Sequence, residues 1–217
     1  MDAATCSCIL SILEEAYPHA CNPQDFFSDP FQVLVLTILS AQTTDAQVWA
    51  LRAPLFSRYP TPLALAQADL LELEALIRPT GYYHAKARHL LGAARMLVDE
   101  FGGRVPDTMD ELVRLPGVGR KTANIVLFHA FGKNEGVAVD THVLRLARRI
   151  GYTDHSDPIR VERDLMACHS PERWGALTDL LIAHGRAVCT ARRPRCGVCP
   201  ISRFCRYFTR EGCPPQG

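Results

Sequence analysis

No stretch of about 18 consecutive apolar residues occurs in the chain, so nothing in it reads as a membrane span. The first residues, MDAATCSCILSILEEAYP, have no lysine or arginine ahead of their apolar stretch and carry Glu14 and Glu15 instead, which argues against a secretory signal. Strong two-residue alternation is missing, as are repeats and low-complexity tracts, and this excludes sheet-dominated and solenoid architectures. Net charge is almost absent: 24 Lys and Arg stand against 23 Asp and Glu. That balance alone favours neither presence nor absence of a nucleic-acid partner. The nine cysteines are odd in number and come without an export signal, so a disulfide framework is a poor account of them.

What is present is ordinary globular composition: 217 residues, 47% hydrophobic and 22% charged, enough for one domain or two small ones. The charge is unevenly spread. Residues 1–100 hold six basic against eleven acidic residues, whereas 101–217 hold eighteen against twelve. From Arg186 to Arg210 there are seven arginines and no acid. Such a face could meet a polyanion without making the whole protein basic, although a plain solvated surface has the same composition.

Helical signals run from end to end. Asp29-Pro30 supplies a cap followed by proline in the first turn, and the almost wholly apolar Phe31–Leu39 reads as a helix buried on most sides at the centre of a helical domain. Thr44…Gln47, Asp69…Glu72 and Thr108…Glu111 have capping-box spacing, or its Asp variant, and mark three further helix starts. A helix over His84–Val98 ends at Gly102-Gly103. Others start at about Arg120, Thr141, Pro158 and Pro171, with Asp157 and Ser170 capping the last two. His184-Gly185 reads as the end of the last long helix. The Cys/Arg/Pro loop beyond it is too poor in apolar residues to build a core, so something else must hold it. The fold class is all-α.

In that loop, Cys189-x6-Cys196-x2-Cys199-x5-Cys205 gathers four thiols, and four neighbouring thiolates require a soft metal centre. Zinc sites usually draw on two close pairs. Here only the central pair is close, an arrangement that suits a cubane with well-separated iron corners, with zinc left open on spacing alone. Cys6, Cys8, Cys21, Cys168 and Cys213 are scattered and read as small buried apolar residues.

Leu115-Pro116-Gly117-Val118-Gly119-Arg120-Lys121-Thr122-Ala123 has the pattern of a tight hairpin: proline ends one helix and another begins at Arg120. The backbone N–H groups of Gly117, Val118 and Gly119 could approach a phosphate closely, aided by the positive end of the next helix. A simple helix–turn–helix corner looks the same. Lys121 shifts the balance, because a cation in the first turn of a helix opposes the dipole. An ordinary lysine amine, with a pKa near 10.4, is neutral in about one molecule in 2,500 at pH 7, a deficit of about 4.6 kcal/mol that a nucleophile must partly recover. The alternative is a lysine that binds phosphate or extends into solvent. In Val137-Ala138-Val139-Asp140-Thr141-His142, a short apolar stretch delivers an aspartate to a helix start. Asp140 reads as a plain N-cap there or, in the functional reading, as a carboxylate held by backbone N–H groups and kept ionised beside developing positive charge; His142 reads as structural.

Taken in order, Leu115–Ala123, Val139–His142 and the cysteine loop resemble the endonuclease III family, helix–hairpin–helix DNA glycosylases with a Gly/Pro-Asp motif and a C-terminal cluster loop. Ser40-Ala41-Gln42-Thr43-Thr44-Asp45 extends the similarity, which runs from about residue 10 to residue 208. The resemblance implies a six-helix barrel domain at 23–133, an iron–sulfur domain from 1–22 and 134–217, and a DNA cleft between them. It implies a 4Fe–4S cluster on Cys189, Cys196, Cys199 and Cys205, Lys121 as the Schiff-base lysine, and Asp140 as the catalytic aspartate. It implies that Gln42 fills the space left by a flipped nucleotide and that Gly117–Gly119 meet the DNA backbone. The partner is double-stranded DNA containing damaged bases or abasic sites. A monomer in the cytoplasm, associated with the nucleoid and with no membrane, is the expected setting.

The implied chemistry is bifunctional. The damaged nucleotide is extruded at a cost of roughly a few kcal/mol, least for lesions and mismatches. Asp140 stabilises an oxocarbenium-like sugar and manages protons, while neutral Lys121 attacks C1′, displaces the base and forms an iminium that drives β-elimination. Oxidised pyrimidines are the expected substrates, with uracil or thymine opposite guanine as the alternative. One position departs from the family. After Thr80-Gly81, endonuclease III usually carries a leucine wedge; Tyr82-Tyr83 stands here, as in the adenine glycosylase branch. That branch has a catalytic glutamate at the position of Thr37, lacks Lys at 121 and adds a C-terminal domain, whereas this chain ends about a dozen residues after Cys205. Tyr82 is the candidate wedge, against the alternative that Tyr82 and Tyr83 both pack on the barrel. A non-catalytic DNA-binding module and an electron carrier are the alternatives from other classes; Lys121 and Asp140 in register favour the enzyme.

Overall fold

The computed structural model describes residues 1–20 and 29–211; Cys21 and Cys213 lie outside them. In chain order the helices are α1 (Ala3–Ala16), α2 (Pro30–Ser40), α3 (Asp45–Arg58), α4 (Pro62–Ala66), α5 (Leu70–Ile77), α6 (Tyr83–Phe101), α7 (Met109–Leu112), α8 (Arg120–Phe131), α9 (Thr141–Ile150), α10 (Pro158–Cys168), α11 (Trp174–Ala187) and α12 (Arg206–Glu211). Short 3-10 turns lie at Arg78–Thr80, Pro171–Arg173, Cys196–Val198 and Ser202–Phe204. No strand occurs among the described residues, as the all-α expectation requires. None of their helices is long and apolar enough to cross a membrane.

The chain divides into two compact units, Gln24–Lys133 and Met1–Pro23 with Asn134–Gly217. The first is built around α2. Asp29 caps it by accepting the Phe31 N–H at 2.9 Å, and Phe31, Val33, Leu34, Val35, Leu36, Ile38 and Leu39 are all buried. A helix apolar on nearly every side stays out of water only when neighbours surround it, and α3, α6 and α8 do so. The long α6 buries Ala87, Leu90, Leu91, Ala94 and Leu97 on one face. It packs on α4 and α5 as well as on α2, and it stops at Gly102 in the left-handed region.

In the other unit, α1 buries Cys6, Ile9, Leu10 and Leu13, one stripe at helical spacing. That stripe meets α10 and α11, while α9 packs on α10, α11 and α12. Cys6 is a fully buried small residue as expected; burial beside Cys168 pushes its thiol up to about 12. Cys8 and Cys168 are half-buried.

Three local expectations need correction. Thr44 heads α3 without capping its backbone, its hydroxyl turning to Gln47 Oε1 at 2.9 Å. Asp69 and Thr108 do cap, accepting the Glu72 and Glu111 N–H groups. Ser170-Pro171 opens a 3-10 turn, and α11 begins only at Trp174. Finally, α11 runs through His184-Gly185 to Ala187. Gly185 is needed for space: a Cβ there would lie 2.9 Å from His142 Nδ1 and 3.0 Å from Arg145 Nη2.

Candidate active site and metal centre

The hairpin of residues 115–119 is anchored by Leu115 and Val118, both buried in the core of Gln24–Lys133. Gly117 has φ 81°, and a Cβ there would lie 2.8 Å from His89 Cβ. Backbone sign and available room therefore both demand glycine at this turn. One turn further along α6, Gly92 lets Pro116 approach; a Cβ there would be 3.1 Å from Pro116 Cγ. Val118 departs from expectation. Its N–H already donates to the Leu115 carbonyl at 3.0 Å, so it is not available to a phosphate. Gly117 and Gly119 are exposed. Gly119 is the N-cap of α8 and provides no side-chain cap, and the positive end of a helix favours an anion at such a place.

Lys121 is exposed in that first turn. The chain has only three lysines, and the other two are committed. Lys86 is buried and its ammonium donates to Leu39 O, Thr43 Oγ1 and Thr80 O. Lys133 holds the Asp107 carboxylate and carbonyl, each at 2.7 Å. The Lys121 side chain makes no ion pair or hydrogen bond among the described residues.

Gln42 and Tyr82 share a property that sequence reasoning missed. They are the non-glycine residues with positive φ among the described residues, at 53° and 49°, a strained conformation that tends to mark functional sites. Gln42 is exposed. Tyr82 is 72% exposed, whereas Tyr83 packs against the hydrophobic core. The alternative in which both tyrosines pack away is therefore set aside. Thr37, where an adenine glycosylase would need its glutamate, turns its hydroxyl onto Val33 O at 2.7 Å.

In the unit containing Asn134–Gly217, buried Val137 and Ala138 lead to Asp140. The Ala138 N–H is fixed by Thr178 Oγ1 at 3.0 Å. Asp140 is half-buried and caps α9, with Oδ1 accepting the Val143 N–H at 2.7 Å. His142 is pressed against Gly185 and lies 3.1 Å from Arg145 Nη2, in keeping with a structural role.

Cys189, Cys196, Cys199 and Cys205 all line one cavity of about 350 Å³, counting its open mouth. Among the described residues, no three His, Cys, Asp or Glu side chains converge closely enough for a single ion. Thiols set around a space, not converging on a point, fit a multi-iron group better than one zinc. Burial pushes the Cys199 thiol up to about 11, so thiolates here need positive charge beside them. Iron would supply it, and Arg149 Nη1 already lies 3.4 Å from Cys189 Sγ.

The sequence reading overlooked the clamp that holds this loop. Arg145 donates to Cys189 O through Nε and Nη2, at 3.3 and 3.0 Å. Arg149 donates to Thr190 O and Ala191 O, both at 2.8 Å. The one available signal was the spacing of four between these arginines on amphipathic α9. Ile201 is buried in the core of its unit and adds an apolar anchor. The arginine-rich tail is not uniformly a surface either. Arg206 reaches Arg148 O and Thr153 O and pairs with Asp154 at 2.8 Å, while Arg192, Arg193, Arg203 and Arg210 are exposed.

An anion-ready hairpin beside an uncommitted lysine, together with a cavity lined by four cysteines, defines a helical protein built to handle nucleic acid with a metal-stapled loop. Residues 35–171 match the HhH-GPD superfamily of base excision DNA repair proteins, and residues 189–205 match the iron–sulfur binding domain of endonuclease III. Endonuclease III of Synechocystis sp. is 51% identical over 91% of this chain and 90% of its own length. The structure of a non-covalent endonuclease III–DNA complex superposes with TM-score 0.89 at 38% identity, covering 96% of this chain and 97% of the other. A trapped endonuclease III–DNA covalent intermediate gives TM-score 0.88 at 37% identity, covering 96% and 98%. The chain belongs to the endonuclease III family.

Proposed function

We propose that Lys121 is the amine, and Asp140 the carboxylate, with which this DNA glycosylase and AP lyase excises damaged bases from duplex DNA. The observation that carries the assignment is the state of the three lysines: two are committed to internal partners, and Lys121 alone is exposed and unengaged among the described residues. In its neutral form the Lys121 amine attacks C1′ of the extruded nucleotide, and the damaged base leaves with the bonding electron pair and takes up a proton. Opening of the sugar gives an iminium that accepts the electrons released when the C2′ proton is removed, expelling the 3′ phosphate. Asp140, with Oδ1 fixed by its cap bond, supplies negative charge for the oxocarbenium-like sugar and a site for proton transfer. Gly117 and Gly119 offer backbone to a phosphate, with Val118 as their buried anchor, and Gln42 and Tyr82 occupy the place the nucleotide leaves.

Cys189, Cys196, Cys199 and Cys205 hold the 4Fe–4S cluster in this reading, supported by their common cavity. When bound, the cluster supplies a one-electron redox centre and ties the loop together. The setting that follows is the cytoplasm and its nucleoid.

The test is borohydride trapping on a duplex with an abasic site. Lys121→Gln should form no covalent adduct while DNA affinity stays within about threefold, because a single positive charge is lost. An adduct at undiminished yield would assign the nucleophile elsewhere. We further propose oxidised pyrimidines as substrates, so thymine glycol and dihydrouracil should be released faster than uracil or thymine opposite guanine. The reverse ranking would favour the mismatch-directed alternative.

A further inference from the structure

Within Gln24–Lys133, the two segments that bear Gln42 and Tyr82 are far apart in sequence and meet at one buried ammonium. Lys86, in the first turn of α6, is 5% exposed. Its Nζ donates to Leu39 O at 2.9 Å, just ahead of the Gln42 turn, and to Thr43 Oγ1 at 2.6 Å, the residue after Gln42. It also donates to Thr80 O at 2.9 Å, two residues before Tyr82. The three protons of the ammonium are thus all used, and each goes to one of these two segments. Thr43 Oγ1 closes the bridge by donating directly to Thr80 O at 2.7 Å.

This is an expensive way to fill a core position. The acceptors are neutral oxygens with no carboxylate among them, and burial drives the lysine pKa down from its ordinary value. An apolar side chain would fill the volume without a buried charge. What an apolar side chain would not do is fix two turns to each other. Those turns carry the positive-φ residues Gln42 and Tyr82, and strained backbone persists only where its surroundings over-determine it.

We infer that Lys86 is a positioning residue that locks the Gln42 and Tyr82 turns together, so that both side chains meet the duplex as one pre-formed unit. The inference rests on the reading of Gln42 and Tyr82 as residues that enter the base stack. Pre-organisation of this kind removes the ordering cost from the step in which the lesion is extruded. It leaves the chemistry at an already unpaired site untouched.

The experiment uses the intact, cluster-loaded chain with Lys86→Met, which keeps length and volume but deletes all three donors. Three readouts are needed: single-turnover base release from a thymine glycol duplex, fluorescence of 2-aminopurine placed beside the lesion, and borohydride trapping on a pre-formed abasic duplex. Lys86→Met should slow base release about tenfold or more and abolish the fast phase of the 2-aminopurine rise, while trapping stays within about threefold. Added to a Gln42→Ala/Tyr82→Ala variant, it should cause little further loss, since the turns then carry nothing to position. Equal losses in release and trapping, or a full additional loss in the combined variant, would overturn the inference and leave Lys86 as core. If Lys86→Met does not fold, Thr43→Val removes the bridging hydroxyl at nearly constant shape. It should give the same pattern in milder form, and unchanged base release would overturn the inference. Should Gln42→Ala/Tyr82→Ala itself release paired lesions at the normal rate, the stacking reading fails separately from the role of Lys86.

Discussion

Tyr82 holds a left-handed backbone, a conformation that costs a non-glycine residue on the order of 1–3 kcal/mol. The residue is 72% exposed, so burial does not offset that cost. Neither the turn nor the core asks for tyrosine here, in line with its proposed place in the base stack. Tyr82→Gly should therefore keep or raise the melting temperature while slowing release of paired lesions by about tenfold or more, since stacking on a base is worth roughly 1–3 kcal/mol. Abasic substrates should be spared, and Tyr82→Leu should recover most of the rate. A lowered melting temperature with equal losses on both substrates would make Tyr82 a packing residue after all. Asp140 poses the converse problem, because it has an evident structural task. Asparagine caps helices about as well as aspartate, so Asp140→Asn should leave stability within about 0.5 kcal/mol of the original. Turnover should fall about a hundredfold or more, the scale of a lost proton-transfer or electrostatic group. Normal turnover in Asp140→Asn would reduce the residue to its cap.

At the scale of elements, what could be read from the sequence was what depends on neighbours a few residues away. Asp29, Asp69, Thr108, Asp140 and Asp157 announce helix starts because each caps a backbone N–H two or three residues on. Helix ends were less legible. Gly102 stops α6 by adopting a left-handed conformation, whereas Gly185 sits inside α11 to admit His142 and Arg145 from α9, and nothing local separates the two uses. The cysteine spacing was legible for the same reason the caps were. The Arg145 and Arg149 clamp was not, since its partners lie some forty residues on, at Cys189 to Ala191. Lys86 was likewise invisible, its acceptors being spread from Leu39 to Thr80. The clamp gives a test at this scale. Arg149→Met keeps most of the stem but loses the donors to Cys189 Sγ, Thr190 O and Ala191 O. The purified variant should show weaker absorption near 400 nm per chain and faster bleaching in air, with α9 still formed. Unchanged iron content and bleaching would mean that the cysteines hold the loop unaided.

Stability of the whole molecule against acid follows from groups folded in an uncharged form, and His169 is the one to test. It follows α10 as its C-cap, with its ring 5.4 Å from that of Tyr152. Its Nε2 is buried with no hydrogen-bond partner among the described residues. Burial, with Arg173 as a smaller cause, lowers its pKa from 6.5 to about 4. The unfolded chain takes up this proton near pH 6.5, whereas the folded chain resists it until about pH 4. The loss of stability from this group is therefore absent at pH 7, grows as pH falls below 6.5 and is complete below about pH 4. Its full extent is on the order of a few kcal/mol, a substantial share of a domain's typical 5–15 kcal/mol. His169→Gln removes the titration while keeping a polar side chain of similar size. Urea midpoints measured at pH 7 and pH 4.5 should then differ less for His169→Gln than for the unmodified chain, with both proteins loaded with iron so that cluster loss enters each equally. Parallel losses in the two proteins would show that His169 is protonated in the folded state without penalty, and that acid acts on this molecule through other groups.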